Sequence, residues 1–246
     1  MEQKALEYAQ AIQKLLGTIV EQEMGKIAQA AEVVATAIAQ DGILYTFGTG
    51  HSHIIAEDVA YRAGSLIPVD AILEEALTGN VKVRQSEYME RVEGIAKVVL
   101  DYYDPSKRDA LVIISNSGRN AAPIEMAMLA HERGLGVIAI TSLAHSQGTT
   151  SRHSSGKKLY ELADIVIDNH CVKGDAMISM KGLPTPAGAG SGIAGLFIMN
   201  AIIVQAVQVL LERGVEPPVF MSGNMDHAER INVPLLERYK GRIKIW

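Results

Sequence analysis

The sequence has little of several features that mark other classes of protein. Its 246 residues include one cysteine, Cys171, so no disulfide can form within the chain. The first residues, MEQKALEYAQ, lack the cationic start and apolar stretch of a secretory signal. We therefore expect a reducing, cytoplasmic setting rather than a secreted, disulfide-bonded fold.

Positive charge is also scarce. Lys and Arg total 23 against 28 Asp and Glu, a formal net charge of −5, and no run of basic residues offsets that excess. A nucleic-acid partner needs a positive patch to replace the counterions along the phosphates, so the charge argues against one. The fractions of 48% apolar and 21% charged residues are those of a folded globular protein.

No stretch of the chain predicts a membrane partner. Residues 188–212 form the most apolar segment, but Asn200, Gln205 and Gln208 interrupt it and no second span accompanies it. The segment predicts a buried helix or one that faces a second subunit.

Apolar spacing divides the chain into helices and strands. Residues 5–39 carry apolar side chains at three- and four-residue steps, which predicts a long helix, or a helical hairpin if Gly25 breaks it. Short β-rich runs follow at 43–47, 66–69, 110–114, 136–141 and 164–168, and helical segments separate most of them. Pro68 favours an edge position for the second run.

This alternation predicts an α/β fold with helices on both faces of a parallel sheet, a three-layer αβα sandwich. With no linker or repeat in view, we expect one domain over residues 1–246. Its parts are an N-terminal helical segment (1–40), a sheet core (43–168) and C-terminal helices (187–246).

Two loops combine glycine with hydroxyl groups just before a helix. Gly48-Thr49-Gly50-His51-Ser52 follows the first strand, and residues 115–120, Ser-Asn-Ser-Gly-Arg-Asn, follow the third. Free backbone N–H groups and the positive end of the helix dipole attract anions at such positions. The loops therefore predict a phosphate site without a full cationic charge. For Arg119 we favour a solvated helix start over a second anion contact.

A nucleotide is the alternative ligand for the first loop. The dinucleotide fingerprint needs a third glycine at the position held by His53, although Asp70 stands where a ribose-binding acid would be. The mismatch at His53 makes a phosphate ester the preferred ligand.

The segment 111–141, LVIISNSGRNAAPIEMAMLAHERGLGVIAIT, resembles the sugar isomerase (SIS) domain, in particular its phosphoheptose isomerase-like members. The loop at 48–52 is similar to the first loop of that family, and Leu162-Ala163-Asp164 also matches. The resemblance implies a five-stranded parallel sheet in flavodoxin-like order and a homodimer or homotetramer. It also implies a sugar phosphate as ligand, with phosphate-binding roles for Ser52, Ser115 and Ser117.

Together with the loop pattern, this makes the predicted phosphate-binding set Gly50, Ser52, Ser115, Ser117, Gly118 and Asn120. Asn120 departs from the family, which has serine or threonine there. The polar loop after Thr141 is longer than usual in the family and is a candidate lid or added ligand contact.

The predicted proton-transfer groups are Glu57 and His227. Isomerisation needs a base next to the sugar carbonyl, and phosphoheptose isomerase-like proteins carry a glutamate nine residues beyond the loop serine. Here that position is Tyr61, so the family assignment does not transfer. Glu57 lies earlier on the same helix, and His227 could reach the site from a neighbouring subunit.

His51 is expected to line the sugar pocket. His51, His53 and Glu57 together could hold a metal. No cysteine or further ligand lies at a spacing typical of metal sites, so we expect neither metal nor cofactor. The sequence thus predicts a protein that binds a phosphorylated sugar and isomerises it through an enediolate. A non-catalytic phosphosugar sensor is the alternative.

Overall fold

The structure is a computed structural model that describes residues 3–246. The helices are α1 (Gln3–Ala39), α2 (Ser52–Asp58), α3 (Glu75–Thr78), α4 (Val83–Met89), α5 (Ile95–Tyr103), α6 (Ala121–Glu132), α7 (Leu143–Gln147), α8 (Ser191–Glu212) and α9 (Ala228–Tyr239). The strands are β1 (Leu44–Gly48), β2 (Val69–Ile72), β3 (Ala110–Ile114), β4 (Gly136–Thr141), β5 (Ile165–Asp168), β6 (Ala176–Ile178) and β7 (Ala187–Ala189).

Five parallel strands form the central sheet in the order β2-β1-β3-β4-β5. The predicted parallel sheet and its flavodoxin-like order are confirmed. β2 lies at the edge, as Pro68 indicated, but it begins at Val69 rather than Leu66. Leu66 instead forms an isolated antiparallel bridge with Val219, which covers the chain just before that edge strand.

Helices cover both faces of the sheet, which confirms the three-layer sandwich. Successive strand residues point to opposite faces, so Leu44 and Val112 belong to one apolar cluster while Tyr45 and Leu111 belong to the other. α1 and α8 pack on the first face, and α5 and α6 on the second. Because both faces are buried, the strands are mostly apolar on both sides.

α1 is one continuous helix through Gly25, so the predicted alternative of a hairpin is wrong. A glycine weakens a helix by about 1 kcal/mol relative to alanine. The buried stripe on either side of it, from Leu15 and Ile19 to Ile27 and Val34, packs into the first apolar cluster. That packing outweighs the local preference for a break.

α8 is the helix predicted from the apolar segment 188–212. Ile198, Ile202 and Leu210 lie in the apolar cluster shared with α1, which confirms a core helix. By length and composition alone it also meets the criteria for a membrane span, as core helices of soluble proteins often do. Its outer face leaves Val204 exposed at 67%.

A short antiparallel hairpin of β6 and β7 lies where helix was predicted to begin at residue 187. The Tyr8 hydroxyl donates to the Ala189 carbonyl at 2.6 Å and so ties this hairpin to α1. Its strands have three residues each and β7 reads Ala-Gly-Ala, so their period-2 pattern is too short to detect.

The C-terminal tail closes over β2. The Asp70 carboxylate, fully buried inside that strand, accepts hydrogen bonds from the backbone N–H groups of Lys244 at 2.8 Å and Ile245 at 3.2 Å. Asp70 is therefore a structural group inside the strand and does not stand where a ribose-binding acid would. This removes the remaining support for a nucleotide.

Candidate functional site

The carboxyl ends of β1 and β3 mark the point at which the strand order of the sheet reverses. After β1 the chain crosses to β2 on one side, whereas after β3 it crosses to β4 on the other. In open parallel sheets ligands bind in the crevice at such a point. The register pairs Gly48 with Ile114, so the two predicted loops leave the sheet side by side.

The first loop turns sharply at Gly50, where φ is +52°. The Gly50 N–H donates to the Leu77 carbonyl at 2.9 Å, so this glycine shapes the loop while its amide is already used. Ser52 is half-buried at the start of α2. That helix ends at Asp58 rather than Ala63, so its dipole is weaker than the sequence suggested.

His51 and His53 take different places beside this loop. The buried His53 ring holds the Gly50 carbonyl through Nδ1 at 2.5 Å. His51 is exposed and lines a cavity of about 240 Å³ together with Thr78, Asn80 and Ser86. This cavity adjoins the first loop, and it is where we expected His51 to meet a sugar.

The second loop presents unpaired donors at the start of α6. Among residues 3–246, no backbone carbonyl accepts a hydrogen bond from the N–H groups of Ser117, Arg119 or Asn120. The Ser115 hydroxyl accepts from the Gly118 N–H at 3.2 Å, and Gly118 has a φ of +56°. Free amides at the start of a helix are the kind of donor that binds an anion.

The long loop after β4 is docked on the second loop. Backbone N–H groups of Arg152 and Leu159 donate to the carbonyls of Arg119 and Gly118 at 2.8 and 2.9 Å. The Arg152 guanidinium donates to Asn120 Oδ1 at 3.0 Å. Asn120, which replaces the hydroxyl of the family, therefore holds an arginine at the helix start.

Positive charge accompanies this loop, which the sequence did not indicate. Arg119 is half-buried and donates to the Thr150 hydroxyl at 3.2 Å. Burial, then the positive charges of Arg119 and Arg91, lower the pKa of Arg152 below its ordinary value. Glu90 and Glu87 act on this pKa in the opposite direction. Cationic side chains thus accompany the hydroxyls and amides of this loop.

A polar cluster anchors the same loop to the outer face of the sandwich. The His153 Nε2 lies 3.8 and 3.6 Å from the carboxylates of Glu93 and Glu125, and Glu93 also accepts from the Ser154 N–H and hydroxyl. These three side chains bring their ligand atoms within 4.8 Å of one another, whereas His51, His53 and Glu57 are not such a group among residues 3–246. The Ser155 N–H donates to His153 Nδ1, so the ring hydrogen sits on Nε2 and points at the carboxylates.

Glu90 was missed by the sequence reasoning. Its carboxylate accepts a hydrogen bond from the Thr49 hydroxyl at 2.6 Å, and its backbone carbonyl accepts from the Ala122 N–H at 3.0 Å. It is therefore attached to the first loop and to the start of α6. Residues 71–88 before it have mixed polarity and no motif, so no pattern in the sequence points to Glu90.

The two predicted proton-transfer residues are not gathered at these loops. Glu57 is exposed and lines a cavity with Tyr61 and Arg62 at the end of α2. The segment before His227 is bound just before the edge strand β2, where the Phe220 N–H donates to the Ser65 carbonyl. No described hydrogen bond within residues 3–246 joins His227 to either loop. The catalytic roles of both residues stay predictions.

Tyr61, which replaces the glutamate of the family, packs against the C-terminal part of the chain. It has a φ of +50° beyond the end of α2, and its ring stacks on Phe220 with centroids 4.7 Å apart. This position therefore cannot provide the base.

The chain belongs to the SIS domain family, whose model matches residues 7–142. The match starts in α1 and ends after β4, and it includes both glycine-hydroxyl loops.

Within this family its relatives over nearly the whole length are UPF0309 proteins. One from Geobacillus thermodenitrificans is 42% identical and covers 97% of this chain and 96% of its own. Another, from Oceanobacillus iheyensis, is also 42% identical, over 96% of this chain and 97% of its own.

Solved structures share the fold at lower identity. Phosphoheptose isomerase GmhA from Neisseria gonorrhoeae is 20% identical, covers 84% of this chain and 98% of its own, and superposes with a TM-score of 0.59. An Escherichia coli CFT073 protein, c3406, in complex with A5P is 20% identical. It covers 82% of this chain and 87% of its own, with a TM-score of 0.55. The Vibrio vulnificus NanR protein complexed with ManNAc-6P is 16% identical. It covers 96% of this chain and 68% of its own, with a TM-score of 0.54.

Proposed function

We propose that this protein binds a phosphorylated sugar in the crevice between β1 and β3. The observation that carries the proposal is the second loop, where the amides of Ser117, Arg119 and Asn120 have no backbone acceptor among the described residues. They stand at the start of a twelve-residue helix, beside the Arg152 guanidinium. Such a group of donors suits a phosphate ester.

The proposed phosphate-binding set is the one predicted from the sequence, and Arg152 lies next to it. Ser52, Ser115 and Ser117 contribute hydroxyls, Asn120 contributes its amide, and Gly50 and Gly118 form the turns. The solved structures that share the fold support a sugar phosphate as ligand, because two of them contain A5P and ManNAc-6P.

The reaction we propose is an aldose–ketose isomerisation through an enediolate. Similarity in fold to a phosphoheptose isomerase supports it. The alternative, a non-catalytic phosphosugar sensor, is favoured by one observation: the family glutamate is replaced by Tyr61, whose ring stacks on Phe220.

Replacing Ser117 by alanine is expected to weaken phosphosugar binding by about 10- to 100-fold. A hydrogen bond to a charged group contributes roughly 1.5–3 kcal/mol. The change in affinity is measured by melting curves, because a ligand of the folded state raises the melting temperature. The ligands tested are arabinose 5-phosphate, glucose 6-phosphate, sedoheptulose 7-phosphate and glucosamine 6-phosphate. Ser179→Ala, at an exposed serine after β6, is the control. If none of these esters raises the melting temperature of the unaltered protein, the phosphate site is wrong.

We further propose that the protein is a cytoplasmic homodimer or homotetramer in which residues 1–246 act as one domain. An apolar groove of about 690 Å³ runs between α1 and α8, lined in part by Val20, Met24 and Val204. These three side chains are 50%, 43% and 67% exposed. A second copy that covers this groove could also bring His227 to the site of its neighbour.

Val204→Asp is expected to dissociate the oligomer, because it places a charge in the apolar groove. Sedimentation velocity gives the mass of each form. Val98→Asp is the matched control, since Val98 is 72% exposed on α5, on the other side of the sandwich. A monomeric parent protein, or a Val204→Asp variant of undiminished mass, contradicts the assignment.

A further inference from the structure

A proton-transfer reaction needs a carboxylate or imidazole that reaches the sugar without competing for the phosphate. The carbons that exchange a proton in an open-chain phosphosugar lie several bonds from phosphorus. The base must therefore stand beside the phosphate-binding donors and not among them. Within residues 3–246, Glu90 is the one acidic side chain that is hydrogen-bonded to either of the two loops, through Thr49.

Glu90 is held at two points. The Thr49 hydroxyl donates to Oε2, and the Ala122 N–H donates to the backbone carbonyl. Thr49 is itself only 7% exposed in the first loop, so this hydrogen bond has a fixed direction. Within residues 3–246 no hydrogen bond is made to Oε1 of Glu90, which leaves one carboxylate oxygen for a ligand.

An opposite charge lies near it, since the negative charge of Glu90 acts on the pKa of Arg152. Arg152 is fixed to Asn120 by its guanidinium and to Arg119 by its backbone N–H. Its remaining N–H groups are donors only. A carboxylate bound to the first loop and a guanidinium bound to the second are the groups that a proton abstraction and the resulting oxyanion require.

We infer that Glu90 is the general base of the proposed isomerase and that Arg152 stabilises the negative charge of the enediolate. The inference rests on the proposed function, since it assumes that a phosphosugar binds at the two loops. It replaces the prediction that Glu57 is the base.

The step balances without any further reagent. Glu90 takes the proton from the carbon next to the carbonyl, and the electrons of that C–H bond form the carbon–carbon double bond of the enediolate. The negative charge moves to the former carbonyl oxygen, opposite Arg152. Glu90 then returns a proton to the former carbonyl carbon, while the proton of the adjacent hydroxyl passes to the enediolate oxygen. No net oxidation of the sugar occurs.

A structural role for Glu90 is the competing explanation, and Glu90→Gln separates the two. A glutamine oxygen can still accept the hydrogen bond of the Thr49 hydroxyl, so the loop and the phosphate site are retained. It cannot accept a proton from carbon at neutral pH. The variant is therefore expected to bind like the parent protein and to lose proton exchange.

The experiment measures deuterium incorporation from D₂O next to the carbonyl of the four phosphosugars named above, by proton NMR, together with their melting shifts. We expect Glu90→Gln to keep the shift and to lose exchange by at least about 100-fold, a typical effect of removing a general base. Glu87→Gln is the matched control, because Glu87 is a nearby exposed glutamate without a hydrogen bond to either loop.

Each other outcome overturns a different statement. Exchange by Glu90→Gln within threefold of the parent protein, or exchange lost in Glu57→Gln and kept in Glu90→Gln, refutes the inference and leaves the isomerase standing. Binding without exchange by the parent protein refutes the isomerase and the inference with it. Should Glu90→Gln not fold, Glu90→Asp decides: its shorter carboxylate should lower exchange at least about tenfold with binding retained, and unchanged exchange refutes the inference.

Discussion

Gly48→Ala is expected to abolish phosphosugar binding. A Cβ at this residue would lie 2.6 Å from the backbone carbonyl oxygen of Ser52 and 2.9 Å from the Ser52 Cβ. These atoms belong to the first turn of α2 and cannot move aside without moving the helix. Relief of the clash therefore displaces Ser52 from the second loop.

The same substitution should also lower the free energy of unfolding by about 1–3 kcal/mol, the usual effect of overpacking a tight site. Melting curves with and without the four phosphosugars report both effects. A Gly48→Ala variant whose ligand-induced shift equals that of the parent protein would show that the first loop takes no part in binding.

Gly25→Ala is the control for this prediction. Gly25 lies within α1, and no atom outside its local helix is found within 4 Å of an added Cβ. Alanine favours a helix over glycine by about 1 kcal/mol, so this variant should be more stable and bind as before. A loss of stability in Gly25→Ala would contradict the account of α1 as one continuous helix.

Relative to the parent protein, the free energy of unfolding of Asp70→Asn is expected to rise by on the order of 2–3 kcal/mol between pH 4 and pH 7. Burial raises the pKa of Asp70 from 3.8 to about 6, although the hydrogen bonds from Lys244 and Ile245 and the charge of Lys244 oppose this. The folded protein thus keeps the Asp70 proton to a higher pH than the unfolded chain does.

The direction of the effect follows from this raised pKa. Below about pH 4 Asp70 is protonated in both states, so burial carries no charge penalty. As the pH rises through about 6 the buried carboxyl ionises, and its contribution to stability is lost. Asparagine has no such titration, so the stability of Asp70→Asn relative to the parent protein should rise between pH 4 and pH 7.

Urea unfolding of the two proteins at both pH values measures this change. Using the difference between them cancels the contributions of the other carboxyl groups. Asp226→Asn, at an exposed aspartate in the tail, should show no comparable trend. A relative stability of Asp70→Asn that stays constant or falls over this pH range would contradict the raised pKa.

The fold could be predicted because its signals are local. Each β-rich run, such as 110–114, is apolar on both faces, and that pattern arises when helices cover a parallel sheet on both sides. The two loops were also recognisable, because glycine and hydroxyl groups before a helix are neighbours in sequence. Where local signals were weak, as at Gly25, the sequence left alternatives that only packing could settle.

The proposed catalytic pair could not be predicted in this way. Glu90 is 41 residues from Thr49, and Arg152 is 32 residues from Asn120. Neither lies in a motif. Their positions depend on how the α4–α5 segment and the loop after β4 pack over the sheet edge. The only local indication of a catalytic base was the helix position of the family glutamate. Tyr61 occupies that position here, and α2 ends before it reaches this residue.

The amino-acid sequence by itself thus determined the parallel αβα sandwich, the family and the pair of loops with phosphate-binding character, because periodicity and short motifs are properties of neighbouring residues. The tertiary structure alone decided that an arginine and a glutamate from distant segments are bound to those loops. Contacts between remote residues depend on the packing of the whole chain, and no local pattern encodes them.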